Sequence, residues 1–182
     1  MKDAIQQCIE ESGDERKDKW LKFHQDHLRW MVKAKGSGQN HQAWEGGYYH
    51  HVQECFQIAK RMFTALVCAP FDWDRMPFTL GSALMVLYFH DIEKMWKHTC
   101  GLGEDWDKLK FLNELPERYG FGLTGREKHA IYYIHGEGED YRKDKRVMGR
   151  LGAFCHAVDV LSARLWHDYP KIRQLPLVTE KS

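Results

Sequence analysis

The sequence predicts an all-α protein that folds as a single compact domain of about six helices. Three observations support this class. Long segments place apolar residues at three- and four-residue steps, which is the helical period. No run alternates apolar and polar residues for long enough to indicate a strand. The chain has 182 residues, 43% of them hydrophobic, which is enough for one sizeable core.

The apolar spacing and the turn residues predict where the helices lie. The helix beginning near residue 79 is apolar enough in its first half to be the central buried helix. The helix that follows Thr124 opens with a capping box, because Glu127 stands three residues later. Helices are expected over residues 16–33, 47–69, 79–100, 105–119, 124–134 and 144–168.

The segments between these helices are rich in turn residues. We expect loops over residues 35–40 and 135–140, and a loose polar tail over 171–182. Residues 1–35 are interpreted as a helical extension of a core that spans 40–168. One domain covers the whole chain, with no internal repeat and no low-complexity linker.

Composition limits the cellular context and the partners. No run of 18 apolar residues occurs, and the N-terminus lacks the apolar stretch of a secretory signal, so we expect a cytoplasmic protein. The five cysteines form no C-x-x-C pair, which favours small buried residues over disulfides or a thiolate site. A net charge of +1 gives no general attraction for long nucleic acid or a membrane. A homo-oligomer is compatible with the sequence.

The His90-Asp91 step is the sharpest chemical feature. It follows the apolar run ALMVLYF, and burying an imidazole and a carboxylate there is costly unless a partner satisfies them. One interpretation is a metal site, since both side chains are common ligands. The alternative is a helix end that emerges into solvent.

Three further polar residues lie at positions that bear on this choice. His51 precedes apolar residues at helical steps and so faces the core, either as a ligand or as a hydrogen-bonded core histidine. Asp159 has small and apolar helical neighbours and needs a cation or an arginine such as Arg164. His135 follows an apolar run and is either a ligand or a helix-ending histidine in water.

Three patches together resemble a known superfamily. GGYYHHVQECFQIA resembles the segment that supplies the first metal histidine in HD-domain metal-dependent phosphohydrolases. FHDIEK resembles their His-Asp step, and FCHAVDVLSARL resembles their last helix. The resemblance covers about residues 40–165, and NHQAWEGGYYHHV resembles short bacteriophage-encoded members in particular. It implies an HD-type helical fold.

The resemblance also implies a metal centre. Its ligands would be His51, His90, Asp91 and Asp159, with His50 as the competing first ligand. Imidazoles and carboxylates suit Mn, Fe, Co, Ni, Zn or Mg ions, and the sequence does not choose among them. Some members bind a second ion through a His-His-Gly segment. This chain has Ile134-His135-Gly136 there, so a second ion would rely on His135, or on His129 upstream.

The function implied is hydrolysis of a nucleotide phosphate by metal-activated water. Asp91 would be both a ligand and an orienter of the water, and Lys94 would meet the phosphate. Glu93 stands where the family usually has glycine. Trp44 and Arg164 are further candidates for substrate binding. Trp44, Tyr48, Tyr49 and Tyr133 either stack a base or are ordinary core aromatics.

Three functions therefore stay open from the sequence. The first is a phosphohydrolase acting on a nucleotide, with deoxynucleoside mono- or triphosphates as the expected substrates. The second is a phosphodiesterase that cuts cyclic or short oligonucleotides. The third is a catalytically silent HD module that binds a nucleotide. Retention of the complete ligand set favours an enzyme.

Overall fold

The computed structural model describes residues 3–38, 42–69, 76–99 and 107–165, and every regular element within them is helical. The all-α prediction is confirmed. None of the described helices is both long enough and apolar enough to cross a membrane. The helices are α1 (Ala4–Glu11), α2 (Lys17–Met31), α3 (Gly47–Cys68), α4 (Leu80–Phe89), α5 (Glu93–Thr99), α6 (Lys108–Arg118), α7 (Gly125–Tyr133) and α8 (Arg150–Leu165), with a 3₁₀ turn at Gly138–Asp140.

Helix α4 is the centre of the structure, as its apolar sequence predicts. Residues 83–89 are all fully buried. Helices α3, α7 and α8 pack around α4, and α3 and α7 both contact α8. A helix that is apolar on every face must be covered on every face, so α4 fixes the arrangement of its neighbours.

Helix α1 was not predicted as a separate element. Asp3 caps it by accepting hydrogen bonds from the amides of Ile5 and Gln6, both at 2.9 Å. Ile5 and Ile9 are fully buried and belong to the same hydrophobic core as Trp20 on α2. The N-terminal segment therefore contributes to the core, although its eight residues give only two turns of periodic signal.

The predicted helix over 79–100 is two helices, and the break falls on the His90-Asp91 step. All four terminal carbonyls of α4 still find donors. The carbonyls of Val86 and Leu87 accept from the amide and the Nδ1 of His90, at 3.0 and 2.8 Å. The carbonyl of Tyr88 accepts from the hydroxyl of Tyr48, and that of Phe89 accepts from the Ile92 amide. With its carbonyls satisfied, the helix can end inside the core.

Several other predicted boundaries shift. Helix α8 begins at Arg150 rather than near 144, because the amides of Val147 and Met148 donate to Glu137 instead of to a preceding helical turn. Cys68 is exposed, contrary to the prediction of buried cysteines, whereas Cys8, Cys55 and Cys155 are buried. Cys100, the end of the loop over 35–40 and the tail over 171–182 lie outside the described residues.

A buried ion pair links the start of α2 to the start of α7. The predicted capping box is present, with Thr124 and Glu127 bonded reciprocally. The carboxylate of Glu127 also accepts hydrogen bonds from both terminal nitrogens of Arg16, at 3.0 and 2.7 Å. Arg16 bonds Asp14 as well, at 2.8 and 2.7 Å. Burial opposes charge on these carboxyls, but the hydrogen bonds from Arg16 lower the pKa of both Asp14 and Glu127.

Removing Arg16 should therefore destabilise the fold. We expect Arg16→Met to lower the free energy of unfolding by about 3–5 kcal/mol, the usual cost of leaving a buried charge without its partner. Chemical denaturation at pH 7 would measure this. The control is Lys22→Met, because Lys22 and Asp26 form an exposed pair, 77% and 54% accessible, whose loss should change little.

The contacts of Arg16 with Asp14 and Glu127 also predict how stability depends on pH. A carboxyl whose pKa is lowered by folding contributes stability above its unfolded pKa, and this contribution is lost as the pH falls below about 5. The wild-type protein should lose stability on acidification more steeply than Arg16→Met. Parallel pH profiles for the two proteins would contradict this assignment.

Candidate metal centre

His51 owes its position to the glycine pair at the start of α3. Gly46 has a φ of 79°, which a side chain would resist, and caps the helix. A Cβ on Gly47 would lie 1.8 Å from the carbonyl oxygen of Gln42, so only glycine fits there. The chain can then turn sharply into α3 and place His51 in the core. His51 is fully buried, as its helical spacing predicts.

Three polar atoms from three different helices converge beside α4. His51 Nε2 lies 3.1 Å from Asp159 Oδ1 and 3.4 Å from His90 Nε2. His90 Nε2 lies 3.4 Å from the same Asp159 oxygen. We call His51, His90 and Asp159 the buried cluster. Its side chains come from α3, from the end of α4 and from α8.

The spacing within the buried cluster fits one metal ion. When metal–ligand distances are about 2.1 Å, two ligand atoms lie about 3.0 Å apart at a right angle and about 3.4 Å apart at a tetrahedral angle. The three observed separations, 3.1, 3.4 and 3.4 Å, fall in this range. The buried cluster could therefore hold a metal ion.

The other nitrogen of each imidazole is already engaged. His90 Nδ1 donates to the carbonyl of Leu87 at 2.8 Å. His51 Nδ1 lies 3.1 Å from the hydroxyl of Ser162. When Nδ1 carries the proton, the Nε2 of a neutral imidazole has a free lone pair. In this tautomer both Nε2 lone pairs point into the cluster, as binding of a metal through Nε2 requires.

The electrostatics of the buried cluster favour a shared cation. Burial opposes the charge of Asp159, but hydrogen bonds with His51 and His90 hold its pKa well below the ordinary range. Burial lowers the pKa of His51. Burial also opposes the charge of His90, but the negative charge of Asp91 and the hydrogen bond to Asp159 raise its pKa to about 10. Facing lone pairs repel one another unless a proton or a metal ion lies between them.

Asp91 lies beside the buried cluster rather than within it. Its Oδ2 is 3.4 Å from His90 Nε2, and it falls in a second group of possible ligands with His90 and His135. Lys94 contacts Asp91 Oδ2 at 2.5 Å, and Lys108 contacts Oδ1 at 3.0 Å. Burial opposes its charge, but Lys94 and His90 hold the pKa of Asp91 well below its usual range. That Asp91 shares an ion with His51 and Asp159 stays a prediction.

His135 is the exposed member of this second group. Its Nε2 lies 3.6 Å from Asp91 Oδ1, and its side chain is 50% exposed. Partial burial lowers the pKa of His135 to about 4, so the ring is neutral and able to bind a metal near neutral pH. His129, the other candidate for a second ion, lies against Gly149 and the ring of Tyr133 instead.

Comparison with known proteins identifies no relative, since no family model, curated protein or solved structure matches this chain. The HD-domain resemblance therefore stays a prediction.

The remaining predicted site residues have varied surroundings. Tyr48 is fully buried and donates to the carbonyl of Tyr88, so it is a core aromatic. Trp44 donates to His50 Nδ1 at 2.9 Å, which engages the competing first ligand. Arg164 is exposed, and the partners of Asp159 are His51 and His90 rather than this arginine. Substrate binding by Trp44 and Arg164 stays a prediction.

Three residues beside these groups were not identified from the sequence. Ser162 contacts His51, Glu54 contacts Ser162, and Lys108 contacts Asp91. Glu54 and Ser162 each stand three residues after a cluster member, His51 and Asp159, and so share its helix face. That spacing could have identified them. Lys108 carries no comparable signal, because it reaches Asp91 from the start of α6, a separate helix.

We expect the protein to bind one divalent ion tightly in the buried cluster. Zn²⁺ at 100 times its Kd would stabilise the fold by about 2.7 kcal/mol when the ion binds the folded chain alone. Asp159→Asn should abolish this stabilisation, since an amide is a far weaker ligand. His129→Ala, which removes an exposed histidine outside the cluster, should keep it. Thermal unfolding with and without Zn²⁺ would measure the stabilisation of the wild-type protein and both variants. A Zn²⁺-induced shift in Asp159→Asn equal to that of the wild type would contradict the assignment.

Proposed function

We propose that this protein is an HD-type metal-dependent phosphohydrolase that cleaves a phosphate ester or anhydride of a nucleotide. One observation carries the proposal. Two imidazole nitrogens and a carboxylate oxygen meet at 3.1–3.4 Å in a buried cluster, and two lysines hold the carboxylate of Asp91 directly beside it. A site for a divalent cation next to two ammonium groups is suited to a phosphate.

The buried cluster would hold the ion, with Asp91 and His135 on its open side. A divalent ion supplies Lewis acidity and lowers the pKa of a bound water, which is the chemistry that phosphate hydrolysis needs near neutral pH. The protein's own contribution is to orient the ligands, exclude water from one side and supply charge on the other. These are the main requirements of phosphoryl transfer, whose transition state is stabilised largely by positioning and electrostatics.

Exposure indicates the side from which a phosphate would approach. His51 and His90 are fully buried, whereas the side chains of Lys108 and His135 are 38% and 50% exposed. Lys94, at 16%, lies between these extremes. Access to the ion would therefore be from the side of Lys108 and His135. A phosphate entering there meets both lysines before it meets the buried cluster.

Asp91 and the lysines would exchange partners when a phosphate binds. Lys94 and Lys108 both pair with Asp91, and Lys108 also contacts Glu93 at 2.9 Å. These contacts hold the two ammonium groups near the open side. Phosphoryl oxygens would take over part of each lysine's hydrogen bonding, and Asp91 would then be available to the ion or to the attacking water. Donors aimed at developing charge are a large contribution to catalysis.

The paired lysines favour a terminal phosphate over a diester. A terminal phosphate carries a charge of about −1.5 to −2 near neutral pH, whereas a diester carries a single charge. Two ammonium groups and a divalent ion match the higher charge better. We therefore propose a nucleoside mono- or triphosphate as the substrate, with deoxynucleotides expected from the resemblance.

A phosphate-release screen would test this proposal. The protein would be supplied with Mn²⁺, Co²⁺, Ni²⁺, Mg²⁺ or Zn²⁺ and offered deoxynucleoside monophosphates, triphosphates and cyclic nucleotides. We expect metal-dependent release of phosphate or pyrophosphate from a mono- or triphosphate, and none from Asp159→Asn. Cleavage of cyclic nucleotides alone, which would be detected by chromatography as a nucleoside monophosphate because no phosphate is released, would indicate a phosphodiesterase. Nucleotide binding without any hydrolysis would indicate a silent module.

Removing either lysine should slow hydrolysis without releasing the metal. We expect Lys94→Ala and Lys108→Ala each to lower turnover by about a hundred-fold, the scale for one charge-stabilising donor, and to leave Zn²⁺ binding in place. Lys110→Ala is the matched control, because Lys110 lies on the same helix as Lys108 and its side chain is 70% exposed. Wild-type turnover in both test variants would mean that the phosphate contact lies elsewhere, and Arg126, Lys128 or Arg164 would be tested next.

A further inference from the structure

A chain of hydrogen bonds runs from a carboxylate to His51 on the side away from Asp159. Ser162 Oγ lies 3.0 Å from Glu54 Oε2 and 3.1 Å from His51 Nδ1. Gln42 donates through Nε2 to the same Glu54 oxygen at 2.7 Å. Ser162 and Gln42 are fully buried, and Glu54 is half-buried. This hydrogen-bond chain joins α3, α8 and the turn that precedes α3.

The chemistry of these groups fixes the direction of every hydrogen bond. Burial raises the pKa of Glu54, whereas the hydrogen bonds from Ser162 and Gln42 favour its charged form. When Glu54 is ionised its carboxylate only accepts, so the single hydroxyl proton of Ser162 is donated to Glu54. The oxygen of Ser162 can then only accept from His51, which places the imidazole proton on Nδ1. His51 Nε2 is left with its lone pair directed at Asp159 and His90. Reversal of this order would leave two acceptors facing each other at Glu54, an arrangement that burial penalises.

We propose that Glu54 is a positioning residue that acts through Ser162 to hold His51 in its metal-binding tautomer and orientation. The proposal rests on the metal centre proposed above and extends it to two residues that touch neither metal nor substrate. Gln42 supports the same function by holding the Glu54 carboxylate. Its own backbone is fixed by the amide of Gly36, which donates to the Gln42 carbonyl at 2.9 Å.

His51 and His90 differ in a way that makes the proposal testable. The Nδ1 of His90 donates to a backbone carbonyl, that of Leu87, which substitution cannot remove. The Nδ1 of His51 instead faces a side-chain hydroxyl, that of Ser162, which substitution can remove. Hydrogen-bond partners of metal-bound histidines commonly contribute ten- to hundred-fold in metal affinity. Loss of the hydrogen-bond chain from Glu54 through Ser162 should therefore weaken metal binding through its effect on His51 alone. The positions of His90 and Asp159 should not change.

The experiment is a double-mutant cycle on metal affinity. Zn²⁺ affinity would be measured by chelator competition for wild type, Ser162→Ala, Glu54→Gln and the double variant. We expect Ser162→Ala to weaken binding by about ten- to hundred-fold and Glu54→Gln to weaken it in the same direction. The double variant should be no weaker than Ser162→Ala, because Glu54 acts only through Ser162. Ser162→Thr, which keeps the hydroxyl, should restore the affinity.

Gln53→Ala is the matched control, because Gln53 is the half-buried neighbour of Glu54 on α3. It should bind Zn²⁺ as wild type does. Additive losses in the double variant, or wild-type affinity in Ser162→Ala, would overturn the proposal. Thermal unfolding of each metal-free variant would separate a lost fold from a lost ligand, and Glu54→Gln provides the comparison if Ser162→Ala does not fold.

A second measurement keeps the two proposals distinguishable. Nitrogen-15 NMR of the metal-free protein reports which nitrogen of His51 carries the proton. We expect the Nδ1-protonated form in wild type and in Gln53→Ala, and a mixture or the other tautomer in Ser162→Ala. If the wild-type protein binds no metal yet shows this pattern, the metal centre is wrong and the positioning of His51 stands. An Nε2-protonated ring in wild type would overturn the positioning itself.

Discussion

Two imidazole nitrogens and a carboxylate oxygen face one another in a largely buried part of the core. His90 donates from Nδ1 to the carbonyl of Leu87, and we propose that His51 likewise donates from Nδ1 to Ser162, so that both Nε2 atoms face Asp159. Such an arrangement is repulsive unless a cation is shared between the three atoms. In the metal-free chain a proton on His90 can take the place of that cation, in agreement with the raised pKa of His90, about 10. A divalent ion would stabilise the buried cluster more than a proton does, because it would bind all three atoms at once.

Much of the surrounding structure can be understood from that requirement. Helix α4 ends within the core, where His90 turns toward α3 and α8. Its last carbonyls accept hydrogen bonds from His90, from the hydroxyl of Tyr48 and from the amide of Ile92. The glycine pair at the start of α3 lets the chain approach Gln42 closely enough to place His51 opposite His90. Burial increases from Lys108 and Lys94 on the open side to His51 and His90 at the centre, which gives the site a polar entrance and a buried interior.

The sequence predicted the parts that depend on local periodicity. The all-α class, the buried α4, the capping box at Thr124 and the inward position of His51 all follow from spacing along one helix. The break at His90-Asp91 did not, because its stability comes from Tyr48 on another helix and from the ring of His90. The two lysines around Asp91 show the same limit. Lys94 shares the Asp91 turn and could be named from sequence, whereas Lys108 reaches Asp91 only through the packing of α6.

Anomalous X-ray scattering would locate the divalent metal ion that we expect in the buried cluster. Crystals grown with Zn²⁺ would be measured on both sides of the zinc absorption edge. We expect one strong anomalous peak about 2.0–2.2 Å from His51 Nε2, His90 Nε2 and an oxygen of Asp159. A peak only at His135 and the protein surface, with the three cluster atoms still in mutual contact and no density between them, would contradict it.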